Sequence, residues 1–196
     1  MAFGVLFVCT GNLCRSPMAE RLFAAGLGGA AGFEVTSAGT WGIAGAPMEP
    51  FAADAVHELG GDPDGFLGAR DLTVTTVETA ELILTASREH RAAVVTLSPR
   101  AAGRTFTIRE FARLVAAVDP ATLLAGPPAV RAQSLVRAAA ARRGLVPPVA
   151  PADDDIPDPY RGPASVFRDC ATLIQDGLAG PLSVIVASTE RTGAGS

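Results

Sequence analysis

The stretch Phe3-Gly4-Val5-Leu6-Phe7-Val8-Cys9-Thr10-Gly11-Asn12-Leu13-Cys14-Arg15-Ser16-Pro17 decides how the rest of the chain is read. It opens with an apolar run of β-branched and aromatic side chains, the composition of a buried strand. Ser16 and Pro17 then read as the N-cap and first turn of a helix, where the missing proline N–H costs nothing. Cys9 therefore stands at the carboxyl end of a strand and faces a helix N-terminus. Unpaired amides and the positive end of the helix dipole favour an anion there, and the backbone from Gly11 to Arg15 can curl into a nest around it.

The spacing C-x5-R selects the anion chemistry. A loop of this length returns the Arg15 guanidinium over the Cys9 sulfur, where its fork can grip two oxygens of a phosphate, which the point charge of a lysine could not do. The helix terminus and the arginine both favour the nucleophilic thiolate of Cys9 without help from a histidine. Ser16 can donate to that sulfur, and Asn12 tolerates the left-handed backbone such a loop needs. Thr10, Gly11, Asn12, Leu13 and Cys14 complete the phosphate-binding loop. Cys14 lies at its far end, close enough in a curled loop for an oxidant to join it to Cys9.

The segment Val8 to Pro17, V-C-T-G-N-L-C-R-S-P, resembles the signature of the low-molecular-weight protein tyrosine phosphatase family, and Asp158-Pro159-Tyr160 matches that family's second mark, a late D-P-Y. The resemblance implies a phosphatase acting on phosphotyrosine or another aryl phosphate monoester through a Cys9 thiophosphate. Inorganic phosphate would be the product or an inhibitor. Cys9, Arg15, Ser16 and Asp158 would be catalytic, with Asp158 as general acid aimed by prolines on both sides. Tyr160 and Trp41 would wall the substrate crevice, and Ser37 would support the Asn of the loop. No cofactor and no metal is implied. Two alternatives share the loop: an arsenate reductase using a low-molecular-weight thiol, and a phosphate-binding protein without turnover.

Composition bounds the rest. At 196 residues and 48% hydrophobic content the chain can fill one substantial core. A net charge of −4 argues against wholesale nucleic-acid binding, and the 16 basic residues, all arginine, are scattered. Three cysteines form neither a disulfide framework nor a metal-ligand spacing. No apolar stretch reaches the roughly 18 residues of a membrane span. The expectation is a cytoplasmic protein that engages neither membrane nor nucleic acid.

Strand signals recur at Phe33–Thr36, Leu82–Thr85 and Arg104–Thr107, separated by helical patterns after the first loop, over Phe51–Leu59, from Ser87 and through Phe111 to Val115. Alternation of this kind predicts an α/β fold, a doubly wound four-stranded parallel sheet with helices on both faces and its ligand at the carboxyl ends of the strands. A single domain is expected over residues 1–180, with an Ala/Pro/Arg-rich insertion at about 117–152 and a tail over 181–196. Within the insertion Ala132, Leu135, Val136, Ala139 and Ala140 form a helical stripe, whose arginines read as a solvated face or as a flap drawing acidic substrates. Asp153-Asp154-Asp155 reads as solvated. A last helix, about Ala164 to Leu178, would turn Val166, Cys170, Leu173 and Ile174 inward. His57 and His90 read as surface helix residues. Four places depart from the resembled pattern: Leu67 replaces a His three places before Arg70, Glu81 an Asp, Ala86 a Met, and Arg161 a second Tyr.

Overall fold

Along strand β1 (Phe3–Cys9) the side chains divide between two cores, which is why the sheet is covered on both sides. Phe3, Val5, Phe7 and Cys9 enter the larger core, and Leu6 and Val8 the smaller one. The computed structural model describes residues 2–187. Among these, β1 is joined by β2 (Phe33–Gly39), β3 (Leu82–Thr85) and β4 (Thr105–Thr107) in a parallel sheet of order β2-β1-β3-β4. The helices are α1 (Arg15–Gly26), α2 (Pro50–Glu58), α3 (Val74–Thr79), α4 (Arg88–Leu97), α5 (Ile108–Ala116), α6 (Pro128–Ala141), α7 (Pro151–Asp154) and α8 (Ala164–Val186).

The larger core packs α1, α2, α5, α6 and α8 against one face, and the smaller core packs α3 and α4 through Val77 and Val94 against the other. Phe7 is fully buried with its ring 5.6 Å from that of Phe23 on α1. Burial of one such ring is worth about 1.5–3 kcal/mol, and here it sets the strand and the helix on either side of the Cys9 loop. Order β2-β1-β3 places the carboxyl end of β1 at the middle of the sheet, beside the start of α4.

Several sequence expectations change on contact with the structure. Ser16 does not cap α1: the N-cap is Cys14, Arg15 opens the helix, and the Ser16 hydroxyl turns into the loop, with Pro17 still inside the first turn where its N–H is not needed. The last helix does not stop at Leu178 but runs to Val186 across Pro181, so residues 181–186 are helical, while the remaining tail 188–196 lies outside the described residues. Its inward face includes Phe167, fully buried against Phe51, in place of Val166.

Two of the insertion's arginines, Arg131 and Arg143, are not part of a solvated face, whereas Arg137 is exposed as expected. Arg131 is buried and donates to the carbonyls of Val184 and Ala187, neutralising the carboxyl end of α8. Arg143 just beyond the helix lies 4.0 Å over the Phe106 ring and donates to Glu110 at 3.1 Å. A flap is excluded for α6 itself by position. Its Gln133, Val136 and Arg137 share a groove with Phe3 at the amino end of β1, about 20 Å of strand from Cys9.

Candidate active site

The loop after β1 is shaped by where its carbonyls go. Those of Cys9, Thr10, Gly11 and Leu13 accept the amides of Thr40, Trp41, Ile43 and Glu49 at 2.9 to 3.3 Å, so the segment after β2 wraps the loop from outside. No amide from Gly11 to Cys14 donates to a protein acceptor among the described residues. Asn12 takes a positive φ of 56°, which reverses the chain and completes the nest. Gly39 permits the approach: a Cβ there would stand 2.3 Å from the Thr10 carbonyl oxygen.

Beneath the loop runs a buried polar chain whose directions follow from its ends. Ser37 Oγ donates to Glu20 Oε2 at 2.6 Å and accepts from Asn12 Nδ2 at 2.8 Å. The same Asn12 nitrogen donates to Ser16 Oγ at 2.9 Å, and Asn12 Oδ1 accepts the amide of Arg70 at 2.9 Å. The Ser16 proton is thereby left for Cys9 Sγ at 2.9 Å or for the Ala38 carbonyl at 3.4 Å, and the shorter contact is the sulfur. Glu20 is buried, and desolvation raises its pKa against the lowering effect of Ser37. The loop is supported without Leu67, which is 91% exposed.

Arg15 is 7% exposed. Its Nη2 pairs with Asp158 Oδ2 at 2.7 Å and donates to Thr10 Oγ1 at 3.4 Å, while Nη1 donates to the Ile156 carbonyl at 3.3 Å. Its Nε is buried and has no partner among the described residues. Such an orphaned donor carries a penalty of about 1–3 kcal/mol, more on a charged group, that an oxyanion on that edge of the guanidinium would remove.

Asp158 arrives on a loop anchored from several sides. Ile156, buried, donates its amide to the Ala86 carbonyl at 2.7 Å. Of the acidic run before it only Asp153 is exposed as expected: Asp154 is 4% exposed and pairs with Arg88 at 2.6 Å and Arg113 at 3.0 Å, and Asp155 accepts the first amide of α4 at 2.7 Å. Side-chain pairing hides these charges, which a hydropathy pattern cannot register. Asp158 Oδ1 accepts the Tyr160 amide at 3.2 Å, fixing the carboxyl plane. Arg161, at φ 66°, turns back to lie 5.5 Å over the Tyr160 ring.

These groups surround a crevice of about 240 Å³. Cys9, Cys14 and Arg15 line it together with Thr10, Gly11 and Asp158, and Leu13, Trp41, Ile43 and Tyr160 supply its large apolar surfaces. Trp41 is 79% exposed, on the rim rather than in a core. Asn12, Ser16 and Ser37 are buried and do not line the crevice, acting from beneath it. Cys14 is a free, buried thiol pushed up to about 12, by burial first and then by Cys9.

His90 is buried, not on the surface. Its Nε2 lies 2.9 Å from Thr10 Oγ1 and its Nδ1 2.7 Å from Ser87 Oγ. The sequence carried usable signals for two of the missed residues. Glu20 follows Ser16 by four positions on one helix face, and His90 sits in the first turn of the helix after a central strand, where an α/β ligand site lies. Nothing in the local pattern pointed to Ile43 or to the Asp154 clamp.

Comparison with known proteins agrees with this geometry. Residues 4–121 match the family model described as low molecular weight phosphotyrosine protein phosphatase. The low molecular weight protein-tyrosine-phosphatase of Streptomyces coelicolor is 31% identical over 97% of this chain and 98% of its own length. Etp of Escherichia coli, another such phosphatase, is 36% identical over 59% of this chain and 76% of its own. The structure of the arginine phosphatase YwlE from Geobacillus stearothermophilus superposes with a TM-score of 0.66 at 25% identity, over 92% of this chain and 91% of that one.

Proposed function

The chain belongs to the low molecular weight phosphotyrosine protein phosphatase family, and from that premise we propose that it hydrolyses phosphotyrosine or another aryl phosphate monoester by way of a Cys9 thiophosphate. The observation that carries the reading is the unpartnered, buried Nε of Arg15 in the crevice that also holds the Cys9 thiol. Phosphate oxygens occupy the amide nest and the Nε/Nη edge of Arg15, in competition with Asp158 for Nη2. The competition releases Asp158 toward the leaving oxygen. The proton given up by the Cys9 thiol passes to the freed Asp158 carboxylate; Cys9 Sγ, as thiolate, then attacks phosphorus in line, the P–O bond to the aryl group breaks, and Asp158 hands the proton to the departing oxygen. Ser16 stabilises the sulfur before attack and again as it leaves. In the second step the Asp158 carboxylate takes a proton from water, which attacks the thiophosphate and frees inorganic phosphate.

Apolar walls favour an aryl ester over phosphoarginine. A guanidinium between Leu13, Trp41, Ile43 and Tyr160 would be desolvated with Asp158 as the one carboxylate lining the crevice. Neither Cys14 nor Cys170 is a ready internal electron donor to arsenate, since burial pushes both thiols up to about 12, so arsenate reduction here would depend wholly on an external thiol. The three cysteines are unbridged, in keeping with a reducing cytoplasm, and no helix among the described residues is long and apolar enough to cross a membrane. The test is turnover of an aryl phosphate and of phosphoarginine by the purified protein and by Cys9→Ser. Wild type should prefer the aryl ester, and the variant should lose turnover while still binding vanadate; substantial hydrolysis by Cys9→Ser would remove the nucleophile.

A further inference from the structure

We propose that His90 is a positioning residue for the phosphate loop: its Nε2 accepts the Thr10 hydroxyl proton, so that the Thr10 oxygen turns its lone pairs to Arg15 and holds the guanidinium over Cys9. The proposal rests on the phosphatase reading for its kinetic consequence, but its structural content stands apart from turnover. Two contacts define the geometry, Thr10 Oγ1 to Nε2 at 2.9 Å and Ser87 Oγ to Nδ1 at 2.7 Å, and Thr10 Oγ1 also meets Arg15 Nη2 at 3.4 Å. A line of side chains thus runs from the start of α4 to the phosphate-gripping arginine.

Protonation of the ring follows from its surroundings. His90 is lowered to about 4, by burial first and then by the Arg15 charge, against the opposing pull of Asp158 and Asp155. A neutral imidazole has one donor and one acceptor nitrogen. The two hydroxyls it touches are not equivalent. Arg15 presents an N–H to the Thr10 oxygen, and its charge repels the hydroxyl proton, which points away toward Nε2. Nδ1 then carries the hydrogen and donates to Ser87 Oγ, which also accepts the His90 amide at 3.3 Å. Ser87 Oγ accepts twice in this arrangement, and its own proton is the one hydrogen of the line without an acceptor among the described residues. With Nε2 protonated instead, the proton without an acceptor would be that of Thr10 rather than Ser87, so the hydroxyl count is equal; what decides is Arg15, at which that tautomer would direct a second positive dipole.

The chain has two histidines, and the other, His57, is exposed, so their imidazole signals can be told apart. Nitrogen NMR of the histidine-labelled wild type should show His90 as the Nδ1-protonated tautomer, unchanged between pH 5 and 8; an Nε2-protonated ring, or one titrating like a free imidazole, overturns the assignment whether or not the variants fold. Kinetically, His90→Phe should lower kcat for an aryl phosphate about tenfold while KM moves less than about threefold. His90→Gln, whose carbonyl oxygen can accept the Thr10 proton, should regain most of that loss. In a Thr10→Val background His90→Phe should cost nothing further, because the two act in series. Wild-type kcat in His90→Phe, a glutamine variant as slow as the phenylalanine one, or multiplying losses would each defeat the proposal. Absence of aryl phosphate turnover in the wild type would instead defeat the phosphatase reading and leave the tautomer result standing.

Discussion

The loop that carries Cys9 and the loop that carries Asp158 meet at one guanidinium, yet they are held by different forces. Around Cys9 the restraints are backbone bonds and a line of mostly neutral side chains, Ser37, Asn12 and Ser16, all buried. Around Asp158 they include charged clamps: Arg88 and Arg113 on Asp154, and Arg15 on Asp158 itself, whose side chain is 50% exposed. Neutral buried bonds fix a geometry that must not change between ground and transition states. In the Arg15–Asp158 pair the carboxylate side is half exposed, so water can take over its hydration, which suits a carboxyl that must leave Arg15 when phosphate arrives. The nucleophile is preorganised, whereas the acid is held in reserve.

The largest test of this division is Asp158→Asn. It should slow esters with poor leaving groups by about 10² to 10⁴ and nitrophenyl phosphate far less; a loss independent of leaving-group pKa would make Asp158 only a partner of Arg15. Next is Arg15→Lys, which keeps the charge but loses the fork and the buried Nε. A fall in kcat of about 10² to 10³ is expected, and near-normal turnover would mean that the guanidinium does not follow the phosphoryl group. Smaller, and aimed at the contrast itself, is the pair Asp154→Asn and Ser37→Ala. Loosening the clamp should lower Tm by about 5 °C and slow poor leaving groups selectively, while breaking the neutral line should slow all esters alike. Identical leaving-group profiles would erase the distinction between the two loops.

The smallest effect is on stability against pH. His90 is held in the folded state at about 4, below the ordinary 6.5. Its folded pKa being depressed, the unfolded chain binds the proton first as pH falls, so this contribution to stability is intact above about 6.5 and is lost progressively between there and about 4. Urea midpoints across that range should show a shallower slope in His90→Gln than in wild type. An unchanged slope would place the acid sensitivity elsewhere.

What could be read from the sequence was chemistry carried by close spacing. Cys9, Asn12 and Arg15 stand in one loop, and their roles need only the strand before it and the helix after it. The sheet followed from strand runs at Leu82 and Phe33 that alternate with helical periods. Long-range polar contacts were not legible. His90, Asp154 and Arg131 are ionisable residues that periodicity assigns to a surface, and each is buried because a partner from a distant segment satisfies it. Ser16 was misplaced for a related reason: its local signal as a cap lost to tertiary partners, Asn12 and Cys9.

The distance in sequence between the two loops bears on how the protein is made. Cys9 through Glu49 supply the nest and most of the contacts that wrap it, but Asn12 waits for the Arg70 amide and β1 for its pairing with β3. Asp158 enters only after the strands of the sheet and α6 have been synthesised. Because Arg15 also leans on the Ile156 carbonyl, the site is complete only when nearly the whole chain is present, and hydrolysis of a demanding ester reports that the whole domain has folded.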